Sequence, residues 1–399
     1  MSLKSLQVFL AIGCAVVAAG CSDSSVGGAG HGAGGDSIRE ALREPDTFAR
    51  AARLGTLLPT LGPEAAPEAI KALKDRTIDL GFADILLLVS FWARHEPEAA
   101  TDWAWWATTS GLGVGPLVEA SEAWARRDPE AVVARIRRAG PGPNTGHVEK
   151  ALVRGWLDSG LPGLEDYVLG LGGSEQSGQR SFRTYFRERI RRDGPEPVMR
   201  WAESIPDEPW RTKLAAYRQL ATELGLADSA AAAAWCEAHC QEERLGSNLL
   251  KLTAQGWALR DGPGAMEFLS TTPAGPERDR AVREAFLSWR KSDHEGAVAW
   301  MEAQGVDGVE PWLQPGIYVH AFNVGEKDPQ RGLEWAAAIE PEEARLHAYR
   351  RIAHWWHVAD PEAAEAWLQQ SPLSEEDREK VRAPVLRESR WVDPSEPTE

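Results

Sequence analysis

Several features are scarce or missing in this 399-residue chain. No stretch keeps up the apolar–polar alternation that strands require, which excludes a β fold. Neither a GxSxG elbow nor an HExxH helix is present, so those two hydrolase grammars are excluded. Positive charge is short: 44 Lys and Arg against 60 Asp and Glu leave a net charge of −16, which argues against nucleic acid as the main partner. The apolar run at 6–19 falls short of the roughly 20 residues that a membrane-crossing helix needs. Only four cysteines occur, and two of them, Cys236 and Cys240, lie beyond residue 21.

What is present begins at the N-terminus. Residues 1–4 are short and positively charged, the apolar run follows, and it closes on Ala18, Ala19 and Gly20 directly before Cys21. The pattern VAAGC resembles the lipobox of bacterial lipoprotein signals. The resemblance implies that residues 1–20 are cut away and that Cys21 is acylated as a lipid anchor. Ser22, where an Asp would retain the protein, then implies the outer membrane, facing the periplasm. Residues 21–37, rich in Gly and Ser, have little to bury and are expected to form a flexible tether. Their formal GxGxxG at Gly30, Gly32 and Gly35 lacks the preceding strand that a dinucleotide loop needs.

The rest of the chain repeats itself. A helix end rich in Trp, an acidic turn and an Ala-rich segment recur as FWARHEPEAATDW, AWARRDPEAVVARI and WWHVADPEAAEAW. Taking one turn residue per repeat gives Gly62, Glu96, Asp128, Gly160, Asp193, Asp228, Asp261, Asp293, Asp328, Asp360 and Asp393, spaced 32 to 35 residues apart. Helix formers dominate between the turns, and Asp or Glu followed by Pro suits an N-cap and first helical position. The spacing predicts an all-α solenoid of about ten helical hairpins over 38–393, with a disordered tail at 394–399.

The 18 Trp residues fit that grammar. Rings stand four residues before the turn residue (Trp92, Trp156, Trp257, Trp289) and seven after it (Trp103, Tyr167, Phe268, Trp300). Rings at equivalent places in both helices are expected to fill the gaps between successive hairpins, each removing about 150–250 Å² from water. In period and helix-turn-helix order the chain resembles tetratricopeptide and HEAT-like α-solenoids, although the tetratricopeptide W-x-x-L-G-x-x-Y signature is not found. The resemblance implies an extended surface that recognises a protein or peptide.

Four groups of residues stand out against this background. Arg180, Arg183, Arg187, Arg189, Arg191 and Arg192 crowd one segment with only Glu188 among them, while residues from 293 onward hold 22 acidic against 10 basic side chains. They form a candidate patch for an anionic partner, or else a solvated basic face. Cys236 and Cys240 are four apart; in a regular helix that spacing holds Cβ atoms about 5–6 Å apart, beyond disulfide reach. Free thiols, a disulfide at a distorted helix end, and a metal site with His239 all remain open. His347, His354 and His357 share a broad helix face and are candidate ligands of a mixed metal site with Glu343 or Asp360. Ser288 and Lys291 spell S-x-x-K, but the SDN and KTG elements that accompany it in penicillin-recognising enzymes are absent.

No catalytic constellation or cofactor motif emerges. The expected function is that of a non-enzymatic, membrane-anchored scaffold in the bacterial envelope. Its expected partners are the lipid bilayer, through acylated Cys21, and an envelope protein, with oligomeric state left open. A glycan- or metal-binding lipoprotein is the alternative, followed by a glycan-cleaving enzyme with dispersed carboxylates.

Overall fold

The computed structural model of the protein describes residues 38–75, 77–172, 175–242, 248–306 and 308–382. The signal segment, Cys21, the tether, Asp393 and the tail lie outside the described residues. Among the described residues every regular element is helical and none is a strand, as the missing alternation predicts. The chain divides into two units, Met1–Phe91 and Trp92–Glu399.

In the first unit, α1 (Thr47–Leu57), α2 (Ala66–Lys74) and the greater part of α3 (Phe82–His95) enclose Ile38, Leu54, Leu58, Ala69 and Leu88. A fully buried carboxylate, Asp84, sits among them. It is held by Arg50 at 2.7 Å and by the backbone N–H of Gly81 at 2.9 Å. Arg50 in turn donates to the carbonyl of Glu44 at 3.1 Å.

The second unit continues through α4 (Pro97–Ala107), α5 (Gly115–Ala125), α6 (Pro129–Ala139), α7 (Pro143–Ser159), α8 (Leu164–Leu171), α9 (Glu175–Asp193) and α10 (Pro195–Ser204). There follow α11 (Trp210–Ala227), α12 (Ser229–His239), α13 (Leu249–Ala258), α14 (Gly262–Thr271), α15 (Pro276–Ser292) and α16 (His294–Gln304). The last are α17 (Gln314–Gly325), α18 (Pro329–Ala337), α19 (Glu342–Ala359), α20 (Pro361–Gln370) and α21 (Glu375–Arg382). Each odd-numbered helix from α5 onward packs against the next odd-numbered one. Every even-numbered helix from α6 to α18 lies against the odd-numbered helices on both sides of it.

Local chemistry sets where the even helices begin. Asp128, Asp228, Asp261, Asp293, Asp328 and Asp360 are all N-caps whose carboxylates accept from the N–H three residues on, at 2.9 to 3.1 Å. Each bond satisfies one of the donors left orphaned at a helix start. Four turn residues depart from this rule. Gly62 has no side chain to cap with and precedes only a single 3-10 turn, Pro63–Ala65. Glu96 leaves the backbone alone and accepts from Trp92 Nε1 at 3.0 Å. Asp193 is the last residue of α9, and Gly194 takes over the cap. Gly160 closes α7 in a left-handed conformation, φ 67°, whereas α8 starts only after Gly163.

The rings do less between hairpins than their spacing suggests. Trp92 meets Trp103 at 6.0 Å, Trp156 meets Tyr167 at 5.6 Å, Trp257 meets Phe268 at 5.2 Å and Trp289 meets Trp300 at 5.5 Å. These pairs span the turn within one hairpin, because four residues before a cap and seven after it fall opposite each other. Trp289 also reaches the preceding hairpin, where its indole lies over Gly262 so closely that a Cβ there would sit 1.9 Å from the ring.

Glycine brings the odd helices together. A Cβ at Gly225 of α11 would lie 2.3 Å from the Thr253 carbonyl oxygen of α13, and one at Gly256 of α13 would lie 2.4 Å from the Thr222 carbonyl oxygen of α11. Gly155 of α7 meets the Glu122 carbonyl of α5 in the same way, at 2.3 Å. Backbone touches backbone at these crossings, so larger residues have no room. The buried core runs in two stretches, one from Ala104 to Leu249 and one from Cys236 to Val381, with Trp257 packed against both.

Candidate interaction face

Helix α9 shows why the arginine segment faces outward. Phe182, Tyr185, Phe186 and Ile190 are buried against the neighbouring helices. At 100° per residue the same helix turns Arg183, Arg187 and Arg191 to the opposite side. Those three are exposed.

The arginines are more fully compensated than their own segment suggests. Arg180 pairs with Glu149 of α7 at 2.8 Å, and Arg187 forms a two-pronged pair with Glu223 of α11, both contacts 2.9 Å. Glu188 accepts from Arg191 at 2.8 Å and from Arg154 of α7 at 2.8 Å. Arg189 meets Asp193 at 3.2 Å. Arg192 lies 3.8 Å from Asp158. Burial raises the Glu188 carboxyl, but the hydrogen bonds from Arg191 and Arg154 outweigh it and hold the group below its ordinary range. Glu149, Glu188 and Glu223 are themselves nearly inaccessible, so these bonds answer buried charges. Among the described residues Arg183 meets no carboxylate; its Nε donates to Gln219 Oε1 at 3.2 Å.

The sequence reading found the arginines and missed the acids, which stand 31 and 36 residues from their partners. Opposite charge about one period away was the available signal, but it does not say which pairs meet once the helices pack. The arginines line open clefts along α7, α9 and α11. One of about 350 Å³ is bordered by Lys150, Arg154, Arg180, Arg183, Arg187 and Glu188. Another of about 600 Å³ lies between Arg187, Arg191, Pro195 and Glu223.

The histidines do not converge. His347 Nδ1 is 2.9 Å from the Tyr318 hydroxyl, while His354 Nδ1 donates to the Val381 carbonyl at 2.7 Å. The Nδ1 of His357 is buried and unpartnered. One helix thus sends three rings to three surroundings, and no group of metal-ligating side chains assembles among the described residues.

Cys236 and Cys240 are joined in a disulfide, their Cα atoms 4.7 Å apart. The bond stands where α12 ends: His239 is its last residue and Cys240 its C-cap, so the regular helical spacing no longer applies. His239 is engaged elsewhere, with Glu242 at 2.6 Å and against the Trp235 ring at 4.2 Å. Ser288 is buried, whereas Lys291 is exposed, and the S-x-x-K spelling builds no shared site.

No protein-family model, curated protein or solved structure matches this chain.

Proposed function

We propose that this protein is a non-catalytic scaffold of the bacterial envelope, tethered to the outer membrane through acylated Cys21. Its body is an α-solenoid of about ten helical hairpins over 38–393, with a period of about 33 residues. It docks an envelope protein. The observation that carries this reading is the uninterrupted succession of odd-numbered helices from α5 to α21, each against the next, whose polar side opens into clefts along α7, α9 and α11. Such a side offers a long contact surface, which suits macromolecular recognition.

The test is a pulldown from envelope extracts with the tagged full chain, beside a variant carrying Lys150→Glu and Arg183→Glu. These residues border the 350 Å³ cleft, and neither holds a buried carboxylate as Arg187 does. A specific partner retained by the parent chain and lost by the variant supports the scaffold. If neither retains a partner, the scaffold reading fails.

Glycan binding is the second reading, favoured by Trp106. This residue is 72% exposed, and the adjacent Trp105 is covered at 4.2 Å by Arg135, which pairs with Asp102 at 2.9 Å. A rise in melting temperature with soluble oligosaccharide, abolished by Trp106→Ala, would select it.

A further inference from the structure

Ten residues before their turn residues, five consecutive odd-numbered helices carry a cation: Lys150, Arg183, Arg218, Lys251 and Arg283. The register is spatial as well as sequential. Lys150 and Arg183 border one cleft, and Arg183 bonds Gln219, the neighbour of Arg218. Burial pushes the Lys251 ammonium down; Glu284 opposes this, while Arg280 and Arg218 add to it. Lys251 therefore feels cations from the helices on both sides of its own. Arg218 and Lys251 make no ion pair among the described residues, and the Nε of Arg218 is buried without a partner.

The row changes character at its far end. In α17 the same place is Tyr318, which packs edge-on against Phe322 at 4.7 Å, and Phe322 meets Trp355 of α19 at 6.0 Å. All three rings are half-buried. Arg351 lies over Phe322 and Trp355 at 5.0 and 4.8 Å.

We propose that this row is a docking track for an extended acidic peptide whose carboxylates meet the five cations and whose apolar end rests on Tyr318, Phe322 and Trp355. The spacing fits. Packed helices stand about 8–10 Å apart, and a chain in the extended polyproline II conformation advances about 3.1 Å per residue with three residues per turn, so every third side chain points to the same side and meets the next helix. A peptide is the polymer that carries carboxylates along one stretch and apolar side chains along another, as the surface requires. The track deepens the scaffold reading and rests on its protein-binding role.

The test uses the full chain in detergent and fluorescence anisotropy with a labelled synthetic peptide bearing Glu at every third position and a Leu-Phe end. The expected result is saturable binding. Arg218→Gln combined with Lys251→Gln weakens it roughly tenfold, the worth of two partly exposed ion pairs, and makes its salt dependence shallower. Arg137→Gln with Arg138→Gln, exposed on α6, leaves it unchanged. Equal binding by the Arg218/Lys251 variant, or of a peptide with Gln for Glu, overturns the track. So does tighter binding of oligogalacturonate or phosphatidylglycerol vesicles through the same residues, which would assign the row to a glycan or a lipid surface. A pulldown partner retained by the Arg218/Lys251 variant leaves the scaffold standing without this track. A bound peptide with no pulldown partner does the reverse.

Discussion

Arg192 Nη1 donates to the carbonyl of Leu157 at 2.8 Å, reaching from the end of α9 to the last turn of α7. Its counterparts do the same: Arg127 bonds the carbonyls of Arg94 and His95, and Arg260 bonds that of Ala227. All three stand one residue before the turn residue. The last carbonyls of a helix have no partner within it; here the next hairpin's arginine supplies one and ties the two together.

Replacing such an arginine should loosen one junction. Arg260→Gln is expected to cost about 1 kcal/mol, the net worth of an intramolecular hydrogen bond. Hydrogen exchange should quicken at the end of α11 and leave α19 unaffected. Uniform acceleration along the chain would contradict the junction.

Glycine substitutions should divide by sign. Gly225→Ala and Gly256→Ala drive a methyl into backbone of the facing helix and should each destabilise by at least about 1–3 kcal/mol. Gly55→Ala meets nothing within 4 Å in the last turn of α1 and should stabilise by about 0.5 kcal/mol. Urea midpoints for the three variants decide the matter.

The Arg187–Glu223 pair should be asymmetric. Glu223 is 3% exposed and the Arg187 side chain 53%. Removing the arginine strands a buried carboxylate, whereas removing the acid leaves a cation that water still reaches. Arg187→Ala should therefore cost about 1–3 kcal/mol, and Glu223→Gln less. A thermal melt that ranks them the other way would refute the asymmetry.

Acid should weaken the fold in two stages. His320 is fully buried, and its Nε2–H donates to Glu302 Oε1 at 2.9 Å. That oxygen also accepts from Trp335 at 2.8 Å, while Arg331 holds the other. Burial pushes His320 below its ordinary 6.5; Glu302 opposes this, and Arg290 and Arg331 add to it. As pH falls below 6.5 the unfolded chain takes up a proton that the folded one refuses, so stability declines. Glu188 and Glu302 lie below their ordinary 4.5; their contribution is complete above 4.5 and is lost as pH falls through their lower folded values. Urea midpoints against pH should show both stages, and His320→Phe should lack the first.

Part of this was legible without coordinates. An Asp that caps three residues ahead, as Asp261 does for Gly264, acts within one turn, so sequence order reveals it. The same holds for Trp257 and Phe268, eleven residues apart across one cap. The shift of the cap from Asp193 to Gly194 was not legible, since both residues suit a turn. Nor was the neutralisation of Arg180 and Arg187, whose acids arrive from other helices.

The sequence by itself determined the helical class, the starts of the even-numbered helices that an Asp caps and the cationic character of α9, because capping and amphipathic periodicity are local. Tertiary structure alone decided which glycines let helices touch and which arginines answer a buried acid. It also decided that His347, His354 and His357 part company. Those outcomes depend on the backbone of a neighbouring helix about one period away, and that distance in space is set only when the helices pack.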